Sequence, residues 1–250
     1  VLVAATGSRA RAEERPTGWD GRVFLSVGGG YHPGGDGFSY RDTQTVFQEE
    51  ASAQARYDPR GGPSLDVGTG VRIGGHFGIG ATLSSARGNQ QATFDVVVPH
   101  PLFFNRPATA SSETRATRNE TALHLQAIFL MPLGKGLRLG VFGGPTRFWR
   151  HQELVYDAEL EPTLLSDQSF TLSVPKLRTL NVDTSGWGFH AGTELTVRMA
   201  KHLGFSGVFR YSHATGHLEN PLTRTRTGAG DAVSIDLGGF SATGSLKLWF

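Results

Sequence analysis

The sequence predicts an all-β chain: a single antiparallel transmembrane β-barrel of eight strands, with short periplasmic turns and long extracellular loops. Three observations predict it. Runs of alternating apolar and polar residues recur along the 250 residues. Short and long connections alternate strictly between those runs. No apolar run approaches the roughly 20 residues that a spanning helix requires. Barrel strands hide their apolar half by alternation, so a hydrophobic content of only 38% fits a barrel and is too polar for a helical membrane bundle.

The strands follow in chain order. Residues 22–28 open the set as one alternating run, Arg-Val-Phe-Leu-Ser-Val-Gly. Three segments then share one design, in which a short connection joins two alternating runs. The first runs from Leu65 to Ile73, turns through Gly74-Gly75-His76, and returns from Phe77 to Leu83. The second runs from Thr121 to Phe129, turns through residues 132–136, and returns from Leu137 to Val141. The third runs from Trp187 to Val197, turns through residues 199–202, and returns from Leu203 to Tyr211. The eighth strand is Val233 to Phe250, where Leu248, Leu246, Gly244 and Ala242 alternate with Lys247, Ser245, Thr243 and Ser241.

The remaining connections are long and polar, roughly His32 to Pro63, Arg87 to Arg118, Phe148 to Ser185, and Ser212 to Asp231. Thr45 to Tyr57, Ala92 to His100 and Phe170 to Leu180 are strand-prone within them, and would extend the strands as protruding hairpins. A barrel of ten or twelve strands is the competing count. Within the second connection, Leu102, Phe103 and Phe104 lie between prolines, and are expected to plug the barrel mouth or to meet a partner.

Parity sorts each strand into two faces. The outward face carries residues such as Leu25, Val67, Ile79, Leu125, Phe189, Phe205 and Leu246. The inward face carries Arg22, Asp66, Arg72, Glu120, His124, Gln126, Arg138, His190, Glu194, Arg198, Arg210 and Lys247. An eight-stranded interior is only wide enough for side chains to fill it. Buried charges must pair. The expectation is a lumen network of Arg138, Arg198 and Arg210 with Glu120 and Glu194, closing the interior to diffusion. Parity slips at Gly238-Gly239 if both Leu237 and Phe240 face lipid, which predicts a β-bulge there. Trp19, Tyr31, Trp149, Trp187, Tyr211, Trp249 and Phe250 fall near strand ends, as interface girdles do.

Composition narrows the chemistry. There are no cysteines, so no disulfide, thiolate metal site or thiol nucleophile is available. The formal net charge is +2, with its basic residues scattered, which gives nucleic-acid binding no support. His213 and His217 are spaced as zinc ligands only on a helix; on a strand they stand roughly 13 Å apart. No metal, cofactor or catalytic residue is assigned. Residues 1–12 read as a residual signal peptide, an apolar stretch followed by Ala10-Arg11-Ala12 as a cleavage site, with the barrel domain over 13–250.

An amphipathic strand ending on Phe250 resembles the closing strand of bacterial outer-membrane barrels, an ending that the barrel assembly machinery reads. In pattern, residues 22–250 resemble the small outer-membrane barrels of the OmpA/OmpW-like porin class. That resemblance implies the outer membrane, contact with its lipid and lipopolysaccharide, and structural, adhesive or small-solute roles. The leading reading is a non-enzymatic surface barrel whose loops make contacts or admit a small ligand of unknown identity. A second resemblance is local: His213-Ala214-Thr215, followed by Asn220-Pro221, is similar to the His-x-Ser-Asn motif of the lipid A deacylases, themselves eight-stranded barrels. It implies a Ser-type hydrolase, but Thr215 stands where that family has Ser and Gly216 where it has Asn. A passive small-solute channel is the third reading.

Overall fold

The computed structural model describes residues 21–227 and 231–250. The proposed signal peptide and Trp19 lie outside them. Ten antiparallel strands form: β1 (Val23–His32), β2 (Phe38–Val46), β3 (Glu49–Pro59), β4 (Gly62–Gly74), β5 (Phe77–Val98), β6 (Ala108–Pro132), β7 (Leu137–Leu164), β8 (Phe170–Arg198), β9 (Leu203–Glu219) and β10 (Ala232–Trp249). One short helix, α1 (Pro221–Thr227), precedes β10. Strands β1, β4, β5, β6, β7, β8, β9 and β10 each pair with the next, and β10 pairs back onto β1 from Phe24–Trp249 to Tyr31–Ala242. The sheet therefore closes into a ring of eight. Arg22 N donates to Phe250 O (2.8 Å) and Phe250 N to Val23 O (2.9 Å), completing the seam.

The extra two strands continue ring strands. Strand β2 pairs with β3, and β3 takes over the edge of β5 above the stretch that pairs with β4. So β1 and β2 rise in line, broken at residues 33–37, and β3 and β4 descend in line, broken at Arg60 and Gly61. The tip between β2 and β3 is Phe47-Gln48, both with positive φ (51° and 68°), the backbone of a two-residue hairpin turn.

The expected long loops are mostly strand. Pairing of β5 with β6 continues to Val98–Ala108, and that of β7 with β8 to Leu164–Phe170. At this height the ring splits. Strand β6 parts from β7 above Arg118–Gln152, β8 from β9 above Gly188–Ala214, and β1 from β10 above Tyr31–Ala242. Three blades result: the sheet β2-β3-β5-β6, the ribbon β7-β8, and the ribbon β9-β10 joined through α1.

Two fillings occupy the interior. Below the split the outward face is apolar, and Leu25, Ile79, Leu125, Leu195, Phe205 and Leu246 are all exposed. From Val197 to Trp187 is about 33 Å of strand, or about 25 Å along the axis at a tilt of about 40°. Tyr31, Trp149, Trp187, Tyr211 and Phe240 are exposed along the upper border of this band. Above it polarity inverts. Tyr40, Tyr57, Phe94, Leu154, Val155, Leu218, Leu222, Ile235 and Leu237 form a buried apolar cluster between the blades, while the outward positions of β5 and β6 become Arg87, Asn89, Gln91, Glu113, Arg115 and Thr117.

Three expectations are corrected here. The β10–β9 register runs without a shift from Leu237–Ala214 to Phe240–Tyr211, so there is no bulge at Gly238-Gly239. Leu237 is only 1% exposed and points inward; Phe240 points outward. The two glycines carry φ of 92° and 125°, and a Cβ on Gly238 would meet the Ser212 carbonyl at 2.5 Å. Trp249 is buried inside the ring rather than in a girdle. Leu102, Phe103 and Phe104 do not plug the mouth; they stay exposed on a tip ordered by His100, whose Nδ1 accepts from Leu102 N and Phe103 N. Helix α1 packs between the blades instead, where Leu222 joins the apolar cluster and the preceding Asn220 side chain donates to Arg41 O (3.0 Å).

Candidate functional site

The inward faces of the ring strands bring their charged residues together in pairs. Lys247 on β10 reaches Glu194 on β8 at 2.5 Å, with both side chains almost fully buried. The hydroxyls of Ser206 and Thr196 also bond that carboxylate, and Lys247 Nζ lies 4.2 Å over the Phe24 ring. One layer higher, Arg210 on β9 crosses the interior to Asp66 on β4, donating Nη2 at 3.0 Å and Nη1 to Ser84 Oγ at 2.7 Å. Thr243 adds a longer bond to Asp66 (3.4 Å). Arg150 on β7 then grips Glu120 on β6 through Nε (2.9 Å) and Nη2 (2.6 Å). Each buried carboxylate thus has a cation, the arrangement that makes burial of charge tolerable.

Of the expected lumen set, Glu120, Glu194 and Arg210 are buried in these pairs, each with a partner outside the set. Arg138 lies lower, its guanidinium 5.7 Å over the Trp249 ring, where the two form the floor. Arg198 departs from the expectation: it is exposed at the turn end, its Nε donating to Ala200 O at 3.2 Å, because β8 ends there and its last side chain clears the ring. Arg150 was hidden from sequence reading, since it falls in what looked like a loop.

Between these pairs lies a bridge of two imidazoles and a hydroxyl. Thr146 Oγ1 sits 2.9 Å from His124 Nδ1 and 2.8 Å from His190 Nδ1, and the two imidazoles meet edge to face at 4.7 Å. The hydroxyl carries one proton and two lone pairs, so it donates to at most one ring and accepts from at least one. The cavity left among Asp66, Gln126, Glu194, Arg210 and Lys247 has a volume of about 30 Å³, the space of one or two waters. Asp66, Glu194, Arg210 and Lys247 in its lining are all buried.

Above the apolar band, burial and the neighbouring Arg150 charge lower Arg118 to about 10, with Glu120 opposing them. Higher still, Tyr57 accepts from Val155 N (2.7 Å), its hydroxyl lies 2.7 Å from that of Tyr40, and Tyr40 donates to Val155 O. This knot ties β2 and β3 to β7 across the dome. Burial pushes both phenols up, Tyr57 to about 12. Where β8 and β9 diverge, a larger open cavity of about 770 Å³ is lined by Tyr156, Leu180, Val182, His217, Leu218 and Arg224.

The deacylase-like segment lies on the outside. His213 and Thr215 share the outward face of β9, with Thr215 opposite Asp236 on β10. The His213 ring packs on Phe189 at 6.0 Å, and no hydrogen bond joins it to Thr215 or Asp236 among the described residues.

No family model and no curated protein matches the chain. Among solved structures it is similar to the outer membrane protein OprG from Pseudomonas aeruginosa, with a TM-score of 0.54 and 11% identity, over 94% of this chain and 98% of that one. At that identity the likeness concerns the fold alone. The chain has the fold of a small outer-membrane β-barrel.

Proposed function

We propose that the chain is a non-enzymatic outer-membrane barrel that uses its blades for surface contacts and for admitting a small ligand, and does not pass solutes through its ring. The turns at residues 75–76, 133–136 and 199–202 then lie in the periplasm and the three blades outside the cell. Outer-membrane lipid, lipopolysaccharide and the barrel assembly machinery are its partners in this reading. One observation carries it: the ring is filled by three buried ion pairs, Arg150–Glu120 and two more, Arg210–Asp66 and Lys247–Glu194, that line a cavity of about 30 Å³. Among the described residues, one space that opens outward is the cleft between β8 and β9. The outward placement of His213 without a bonded hydroxyl gives the hydrolase reading no support from geometry.

Two measurements test it. In planar bilayers the purified protein should show little steady conductance, and stable openings would favour the channel instead. Mass spectrometry of lipid A from cells with and without the protein should show the same acylation. Loss of one acyl chain that depends on both His213 and Thr215 would establish the enzyme.

A further inference from the structure

Arg147 occupies a position where a cation is unexpected. It points outward from β7 between Pro145 and Trp149, at the top of the apolar band, and pairs across the sheet with Leu123 and Trp187. Charge on the outer face of a barrel is disfavoured in proportion to its depth, and least so near the interface. The side chain is not left to find water on its own. Its guanidinium lies 5.4 Å over the Trp187 ring and 5.8 Å over the Trp149 ring, and its Nη2 donates to Ser185 Oγ at 2.8 Å. Among the described residues it has no carboxylate partner; the neighbouring Asp183 lies 2.6 Å from His151 Nδ1 instead.

Those contacts hold the guanidinium against the two indoles, and the bond to Ser185 engages one of its five N–H donors. Two indoles that hold an arginine in place, with its remaining donors at the band edge, make a receptor for an anion that offers two oxygens to paired N–H donors. Arginine binds phosphate through paired N–H bonds, which lysine does not reproduce. Below the guanidinium the outward face continues as Leu123, Leu125 and Phe189, a surface for acyl chains and not for a free anion.

We propose that Arg147, clamped by Trp149 and Trp187, binds the phosphate of a lipid headgroup in the leaflet at the blade end, with the lipid's acyl chains along Leu123 and Phe189. The proposal rests on the outer-membrane reading above. In that orientation the lipid is a phosphorylated glycolipid of the outer leaflet.

Native mass spectrometry of the folded protein in detergent tests this, with lipid A, enzymatically dephosphorylated lipid A, and inorganic phosphate as probes. Phosphorylated lipid A should be retained, and its dissociation constant should rise about tenfold in Arg147→Gln, the loss of a charge-assisted paired contact. Arg56→Gln, well above the band, should bind as the wild type does. Should Arg147→Gln fail to fold, Trp187→Phe keeps the test, with a smaller but measurable weakening. Equal retention of the dephosphorylated lipid overturns the proposal, as does displacement of lipid A by millimolar inorganic phosphate. Heat-modifiable migration of the same preparations separates the two levels: folded protein with no lipid preference refutes the site, whereas absence of a folded membrane form refutes the barrel reading beneath it.

Discussion

Breaking the Lys247–Glu194 pair is the most direct test of whether the ring is dry. The two side chains are 5% and 10% exposed and meet at 2.5 Å. Lys247→Met keeps the stem that packs on Phe24 but leaves the carboxylate without a cation. Removing one partner of a buried pair costs about 3–5 kcal/mol, and the Ser206 and Thr196 hydroxyls that stay on Glu194 place this variant at the lower end, about 3 kcal/mol. Glu194→Gln leaves the ammonium over Phe24 with a neutral partner and should cost a similar about 3 kcal/mol. The double variant removes both charges and retains the hydroxyl contacts through the amide, so it should fall within about 2 kcal/mol of the wild type, far from the sum of the singles. The assay is equilibrium unfolding by urea in lipid vesicles, followed by tryptophan fluorescence and by heat-modifiable mobility. Additive losses, or single losses below about 1 kcal/mol, would mean that water reaches both groups. A wet pair would refute the closed interior and support a continuous path through the ring.

Three further outcomes follow from the same geometry. Leu125 faces outward near the middle of the apolar band, so Leu125→Arg should cost about 2–4 kcal/mol in the same assay; its neighbour Gln126 faces the small interior cavity with Oε1 unpartnered, so Gln126→Leu should change stability by less than about 1 kcal/mol. The Tyr40–Tyr57 knot should loosen in alkali. Burial raises the folded pKa of both phenols above the unfolded value, so their contribution is whole below about pH 10 and is lost as pH climbs toward the Tyr57 value of about 12; phenolate absorbance should show a late phase, missing in Tyr40→Phe/Tyr57→Phe, in step with protease cleavage of the β2–β3 hairpin. Finally, His213→Ala should leave the folded yield unchanged, since the ring packs only on the outward face of Phe189; a large loss of yield would give His213 a structural role that its contacts do not account for.

Sequence exposed the ring well because lipid imposes a strong rule. Outward residues between the turns and the girdle have to be apolar, so parity at Val67, Leu125, Phe205 or Leu246 could be read directly. The turn at Gly74 to His76 was equally plain, with Gly75 at φ 49°. Inward partners were less legible. Parity places Asp66, Glu194, Arg210 and Lys247 on one face, but which cation meets which carboxylate depends on the stagger between strands that are distant in sequence, and no local signal encodes that. Arg150 escaped altogether because the residues beyond Phe148 no longer alternate in the expected sense.

That change of sense explains the other departures together. Inside the band the outward face needs apolar residues and the inward face tolerates paired charge; above it water surrounds the strands, and the apolar residues turn inward to bury one another. One unbroken strand therefore carries two opposite patterns. On β5, Ile79 and Leu83 face out while Phe94 and Val96 face in. A reader who expects one pattern sees the strand end where the pattern inverts, and assigns loops to 87–118 and 148–185. At Leu237 and Phe240 the inversion falls within four residues of β10, where an inward dome residue and an outward girdle residue look like two lipid-facing positions one residue out of register. The bulge is then an artefact of applying one solvent to both halves. The strand stays in register, and the surroundings change from lipid to water along it. The same border is where Arg147 meets Trp149 and Trp187. A cation there has lipid below and water above, which is why the edge of the inversion is the place on the outer wall where a charged headgroup and a fixed guanidinium can both be satisfied.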